Sequence, residues 1–331
     1  MSIFFFYSNN ILKTHTLQKN MFGKNIPRRI RRRVIKAELT AERFVCSTRH
    51  GKNLVYDITH HNSPFTMQEI GRLREIAFRD AGGGTGNPVD IDEFDTMRKP
   101  FHQLLVWSPK EKEIISSYRY ILGTDIKITS KGIFSPTAEL FNFSPEFIQN
   151  YLPYSIELGR SFVQPKYQAS RQGAFALDNI WDGLAAILCL NPHVKYLHGK
   201  VTMYKNYNPF ARDLVLYFLK KHFSYQTPLI QPIKPLSFFH DESKLASVLT
   251  SDDFNEDFKI LNAEAAKLNC KIPPLINIYM GLSPTMYSFG TSDNQSFGDV
   301  EETAILINVN DIYDVKKERH INNFLSQQGG K

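Results

Sequence analysis

The hydrophobic pattern of this chain changes period repeatedly, and that switching restricts its fold more than any other feature. Runs rich in β-branched and aromatic residues mark strands at Phe44–Ser47 and Leu54–Ile58, on either side of the turn 50–53. Further strands are predicted at 101–107, 113–123, 155–163, 196–204, 275–280 and 304–309. Between them the apolar period lengthens to that of a helix. Met67, Ile70, Leu73, Ile76 and Ala77 follow Ser63 and Pro64, a very apolar segment fills 175–190, and Asn208 and Pro209 open a helix over 211–223. Shorter helical patterns occupy 147–151 and 254–269. Strands interleaved with helices predict an α/β fold with a mixed sheet.

The longest unbroken apolar run, 184–190, is far below the roughly 18 residues of a membrane span. The chain has 331 residues, enough for one large domain or two modest ones. The organisation expected is a basic arm over 1–43, a core over 44–225 and an extension over 226–331. A proline-rich stretch (Pro228, Pro232, Pro235) opens the extension and could equally link a separate domain. Three scattered cysteines, Cys46, Cys189 and Cys270, form neither a disulfide framework nor a zinc pattern, which suits a reducing cytoplasm.

The net charge of +7 is carried by the arm. Residues 1–37 hold nine basic residues and no acid, leaving 31 basic against 33 acidic residues in the rest. Ile26, Ile30, Val34 and Ala37 recur at helical spacing among arginines, which predicts a basic amphipathic helix over 26–39. Such a helix suits an anionic membrane, an acidic protein or a phosphate backbone, and a solvated, partly disordered arm fits the composition as well. Residues 1–20 lack a secretory pattern, faintly resemble an organellar presequence, and precede a second candidate start at Met21.

The glycine run 82–86 lacks the Gly-Lys-Ser/Thr ending of a phosphate loop and follows a helix, so a flexible helix terminus is expected there. His60, His61, His193 and His198 sit at strand ends without metal-ligand spacing and read as structural or solvent-facing; no metal is expected. The informative stretch runs from Tyr154 to Val163. Glu157 lies in a strand among apolar neighbours, where desolvation would raise its pKa towards the range of a general base. Arg160 faces the other way in an ideal strand unless Gly159 is a bulge, and a surface Glu–Arg pair explains both residues equally well.

Glu157-Leu158-Gly159-Arg160 resembles the Glu-x-x-Arg motif of acyl-homoserine lactone synthases and of the bacterial N-acyltransferases that make ornithine and glycine lipids, the hemolysin-like branch of the GNAT superfamily. Leu73, Arg74 and Phe78 match that family's Leu-Arg-x-x-x-Phe helix, and Asp90, Asp92 and Asp95 its acidic loop before His102 and Leu104. The segment 117–123, with Arg119, resembles its arginine-bearing strand, while 196–199 and 271–279 are similar to the lipid-forming branch. The likeness spans roughly residues 50–310. Two departures stand out. The phosphate loop of ordinary GNAT acetyltransferases is not met in 164–176, and the lactone synthases' early tryptophan is missing, which speaks against signal synthesis.

The resemblance implies a GNAT-like, mostly antiparallel sheet flanked by helices, with a C-terminal α/β extension. It implies transfer of a long-chain acyl group, with or without a 3-hydroxyl, to the amino group of a small amino acid such as glycine or ornithine, the first step of aminolipid synthesis. The donor would be a phosphopantetheine thioester on acyl carrier protein, or acyl-CoA, with no tightly bound cofactor. Glu157 would be the base and Tyr207 the acid for the departing thiolate. Arg119 and Arg160, with Arg74, Asp92 and Asp95, would bind substrate or form a structural ion-pair network. Val163, Gln164, Arg171, Gln172, Gly173 and Ala174 would receive the pantetheine or its phosphate. The enzyme would be cytoplasmic, drawn by residues 26–39 to carrier protein or to the inner face of the membrane. An acetyl-CoA-dependent acetyltransferase remains a rival, as does a non-catalytic nucleic-acid-binding protein, although the near-neutral body argues against nucleic acid.

Overall fold

The computed structural model describes residues 25–168 and 175–328, which fall into two compact units. The first takes in the described residues up to Ile121, the segment Gly159–Pro192 and the chain from Lys317 onward; the second takes in Leu122–Leu158 and His193–Lys316.

In the first unit, β1 (Phe44–Ser47), β2 (Leu54–Ile58), β3 (His102–Ser108) and β4 (Glu113–Leu122) pair in sequence order, each antiparallel to the next. Alternation puts Val55, Leu104 and Val106 into the interior beneath the helix Ala176–Leu190. Gly183 makes that packing feasible: a Cβ there would lie 2.7 Å from Val55 Cγ1 and 2.8 Å from Leu104 Cδ2. The edge strand β1 is covered by the C-terminal helix Asp314–Gln328, whose Asn323 and Gln327 amides each donate to Ser47 O at 3.0 Å. His320 Nδ1 meets Asp182 Oδ1 at 2.7 Å and fixes the same helix.

The basic helix is shorter than its periodicity predicts, spanning Arg32–Glu38, because Pro27 and the extended residues after it precede the first helical turn. Its apolar side is already used: Ile35 and Leu39 are buried. Glu38 at its end accepts from Phe65 N, Thr66 N and Thr66 Oγ1 at 3.1, 2.7 and 2.7 Å, supplying the cap that Ser63 does not give to the helix Pro64–Ala81. The arm is tied to the fold from Arg29 onward, where Arg29 pairs with Glu113 and Ile30 N donates to Glu69 Oε2. The glycine run is likewise ordered. Gly82 adopts φ +100° and closes the helix, and Glu75 accepts from Thr85 N at 3.0 Å and Gly86 N at 2.8 Å.

In the second unit, the first half of β5 (Ser155–Val163) runs parallel to β6 (Tyr196–Met203). Next come β8 (Val300–Asn308), antiparallel to β6, and β7 (Tyr287–Asn294), antiparallel to β8. The result is a mixed, mostly antiparallel α/β fold. Asn208 caps the helix Pro209–Phe223 by accepting from Phe210 N and Ala211 N, and Asp253 caps Phe254–Lys267 by accepting from Glu256 N. These helices meet through Phe218, Phe254 and Phe258. The strand expected at 275–280 is instead the helix Pro274–Met280: Pro274 fits its first position, and Ile276, Tyr279 and Met280 bury one helical face. The sequence reading also missed β7 and the C-terminal helix.

Strand β5 carries the chain from the second unit into the first at Leu158–Gly159. The parallel ladder stops at Leu158 opposite Gly199. A Cβ on Gly199 would lie 2.3 Å from Leu158 O, whereas one on Gly159 would find no atom within 4 Å.

Candidate active site

Glu157 stands in the fully buried first half of β5, 1% exposed. One carboxylate oxygen, Oε1, accepts from Thr137 N at 3.0 Å and from Thr137 Oγ1 at 2.7 Å. The other, Oε2, lies 3.6 Å from His198 Nε2, the residue directly opposite on β6. Burial pushes the Glu157 pKa up, as the sequence suggested, but interactions with His198, Thr137 and Ser135 outweigh it and the net direction is down. The expectation of a raised pKa is corrected: Glu157 is a carboxylate at neutral pH, held by donors aimed at its charged form.

His198 was read from sequence as structural or solvent-facing. It is buried beside Glu157, with Phe147 and Phe143 edge-on to its ring at centroid distances of 5.2 and 6.1 Å. The signal that could have found it is register: a strand bearing a buried glutamate, followed by a parallel strand, puts one residue of the latter directly across from the carboxylate.

The arginines and aspartates of the family-like motifs come together in the first unit. Arg74 Nη1 pairs with Asp95 Oδ2 at 2.9 Å, and Arg119 Nη1 with Asp92 Oδ2 at 2.6 Å and Asp95 Oδ2 at 3.3 Å. Arg160 Nε lies 2.9 Å from Asp90 Oδ2. Asp92 and Asp95 cap the short helix Glu93–Thr96 reciprocally, which fixes both carboxylates before any arginine arrives. Burial raises the Asp90 pKa against its arginine neighbours. For Asp92 the burial effect is overcome by Arg119 and Arg160, and its pKa falls. Arg74 and Arg119 side chains are 0% and 1% exposed, while Arg160 is 15% exposed. Arg160 reaches Asp90 because its own backbone adopts φ +50°, so the break in strand alternation falls at Arg160 rather than at Gly159.

The remaining predicted residues are placed apart from Glu157's hydrogen bonds. Tyr207 Oη donates to Lys271 O at 2.8 Å, so its proton is directed at a backbone carbonyl. Gln164 donates from its backbone to Ile115 O at 2.9 Å and from Nε2 to Ile114 O at 2.8 Å. Val163 O accepts from Gln168 Nε2 at 2.8 Å. Arg171, Gln172, Gly173 and Ala174 lie outside the described residues. Nearby in sequence, Lys166 joins Arg29 and Arg32 of the arm around the buried Glu113. Among the described residues no helix is long and apolar enough to cross a membrane.

Residues 73–177, which include the acidic loop, Arg119, Glu157 and Arg160, match the acetyltransferase (GNAT) domain family, and this places the chain in the class of GNAT acyltransferases. Over most of its length it is similar to two curated proteins called glycine N(alpha)-acyltransferase. The one from Bacteroides thetaiotaomicron is 52% identical over 300 residues, 89% of each chain; the one from Phocaeicola vulgatus is 51% identical over 304 residues, 90% of this chain and 93% of its own. The chain belongs to this glycine N(alpha)-acyltransferase family, and it is an N-acyltransferase. A solved CoA-dependent acyl-homoserine lactone synthase, BjaI, in complex with SAM and isopentyl-CoA, aligns with 84% of this chain and 90% of its own at 10% identity and a TM-score of 0.35, too loosely for residue correspondences.

Proposed function

We propose that this enzyme transfers a long-chain acyl group from a thioester on acyl carrier protein to the amino group of glycine, forming the first intermediate of an amino-acid-containing lipid, and that Glu157 is its base. The single observation that carries the assignment of the base is the buried carboxylate of Glu157, held in its charged form by Thr137 and facing His198. A glycine amine is mostly protonated at neutral pH, so a base must take a proton before its lone pair can attack the thioester. Glycine is favoured over ornithine by the names of the two relatives.

Backbone amides of the strand after Arg160 are the proposed donors to the developing oxyanion. Arg74 and Arg119 are given a structural role, because aspartates neutralise them away from solvent; Arg160, the most exposed of the three arginines, is the candidate contact for the acceptor's carboxylate. Carrier protein as donor is supported by the exposed Arg28, Arg31 and Arg33 of the arm, which present positive charge while Ile35 and Leu39 after them are buried. Any membrane contact through residues 26–39 is for the same reason electrostatic rather than an insertion.

The test is mass spectrometry of lipids from a bacterial host expressing the wild type or the Glu157→Gln variant. A new N-acylglycine lipid with the wild type alone supports the reading and reports the acyl chain. A new N-acylornithine would replace the acceptor, and equal product from both proteins would remove Glu157 from its role.

A further inference from the structure

Of the buried polar atoms of the second unit that find no hydrogen-bond partner among the described residues, three belong to one pair of facing side chains: Glu157 Oε2, His198 Nδ1 and His198 Nε2. Two of them face each other at 3.6 Å, a distance longer than a hydrogen bond and short enough for strong charge coupling away from water. Phe143 and Phe147 stand edge-on to the imidazole ring, and Leu306 of β8 pairs with His198 in the ladder. On the same strand Tyr196 lies two residues before it and Lys200 two residues after, the latter held 2.7 Å from Glu302. Glu157 is thus the charged group that the fold sets against His198.

We propose that His198 is a proton reservoir behind Glu157, taking over at Nε2 the proton that the carboxylate collects from the acceptor's ammonium. This rests on the reading of Glu157 as the base. Glu157 alone is a poor place to leave a proton, because Thr137 N and Thr137 Oγ1 both donate to its carboxylate and favour the charged form. In water an imidazole holds a proton about two pH units more tightly than a carboxylic acid does. An imidazolium beside a buried carboxylate also neutralises the pair, which lowers the cost of keeping charge out of water.

The proton balance closes. One ammonium N–H bond breaks and a Glu157 O–H bond forms; that bond breaks in turn as the His198 Nε2–H bond forms. The freed amine pair makes the amide bond while the thioester C–S bond breaks and its pair leaves on sulfur. The second nitrogen proton goes to that sulfur, and the first is released from His198 to solvent after the thiol departs. His198 is here a positioning residue, since it acts through Glu157.

The discriminating variant is His198→Gln, whose amide can hydrogen-bond the carboxylate but cannot accept a proton. It is assayed on the full chain with glycine and whichever long-chain acyl thioester the wild type turns over. The expected result is a fall in kcat of about tenfold or more, with the KM for glycine within about twofold of wild type and the acidic limb of the kcat–pH profile lost. Wild-type kcat and an unchanged profile would overturn the reservoir, because an orienting role survives in glutamine. Undiminished activity of Glu157→Gln would instead overturn the underlying reading. If His198→Gln does not fold, histidine NMR titration of the wild type and Glu157→Gln decides: one imidazole must titrate differently when Glu157 is replaced, and unchanged titration of all ten histidines overturns the proposal.

Discussion

Two buried charge clusters, one in each unit, are built on opposite terms. Around Asp95, three arginines meet three aspartates, and the helix Glu93–Thr96 holds two of the carboxylates in place. Around Glu157 a single carboxylate has two donors on one oxygen and a histidine beyond hydrogen-bond reach of the other. The first cluster has matched charges and is sealed from solvent at Arg74 and Arg119. The second keeps proton-accepting capacity that the fold does not consume. The comparison teaches that a dense array of charged residues can be scaffolding. Arg74 Nε, Arg119 Nε and Asp90 Oδ2 also lack hydrogen-bond partners among the described residues, so unanswered buried atoms do not separate the clusters; the difference is that each charge of the first lies beside an opposite permanent charge, whereas Glu157 faces a titratable imidazole.

The sharpest way to break this contrast is to neutralise one member of each cluster and measure rate and stability together. Glu157→Gln keeps the shape of the side chain, and its turnover is expected to fall by about 10²–10⁴-fold, the usual range for losing a general base. Its urea midpoint should move little, since an amide can still accept from Thr137. Asp95→Ala should do the reverse. It leaves Arg74 and Arg119 short of a shared partner in the interior, with an expected loss of about 3–5 kcal/mol on chemical denaturation. At temperatures where that variant stays folded, its turnover should remain within about tenfold of wild type. A large rate loss without a stability loss for Asp95→Ala would place the first cluster in the chemistry.

How much of this contrast could be read from the letters depends on how local each feature is. Strand β5 was legible to the residue, because its apolar neighbours and the flanking Pro153 and Pro165 bound it on both sides. The acidic loop of Asp90, Asp92 and Asp95 was legible as a motif, but the helix Glu93–Thr96 that Asp92 and Asp95 cap was not placed, because four residues are too few to show a helical period. The identity of the residue facing Glu157 was not legible: it depends on the register of two strands whose paired residues lie 41 positions apart, and a shift of one would put Leu197 or Gly199 opposite instead. The direction of the Glu157 pKa was missed for the same reason, since burial is visible in a hydrophobic pattern while Thr137 and His198 are brought in by topology. The helix at Pro274–Met280 shows the complementary failure, a short apolar run whose periodicity fits either structure.

A smaller effect is expected at the point where β5 leaves β6. Gly199→Ala drives a methyl group to within 2.3 Å of Leu158 O, a backbone atom that cannot swing aside. The strands must separate, at a cost of about 1–3 kcal/mol in stability. Because Glu157 and His198 are the neighbours of that contact on their strands, turnover should fall along with the urea midpoint. A variant as stable as wild type would show that the close approach at Gly199 is not required.

The smallest effect, and the one that tests how the arm is held, concerns Glu113. Burial raises its pKa, but hydrogen bonds from Lys166 and Arg32 more than offset this and bring it to about 2, against an ordinary value of 4.5. A carboxylate whose pKa is depressed on folding stabilises the native state above its unfolded value, and that contribution disappears as pH falls through the folded value. Wild type should therefore be more stable than Glu113→Gln at pH 7, and the gap should be intact down to about pH 4.5 and close progressively towards about pH 2. Arg32 and Lys166 are nearly half exposed, so salt screens the pair and the gap at pH 7 should be about 1 kcal/mol or less at physiological ionic strength. A gap that persists unchanged at pH 2 would mean that Glu113 acts through packing, and that the arm is held by Ile35, Leu39 and the Glu38 cap rather than by charge.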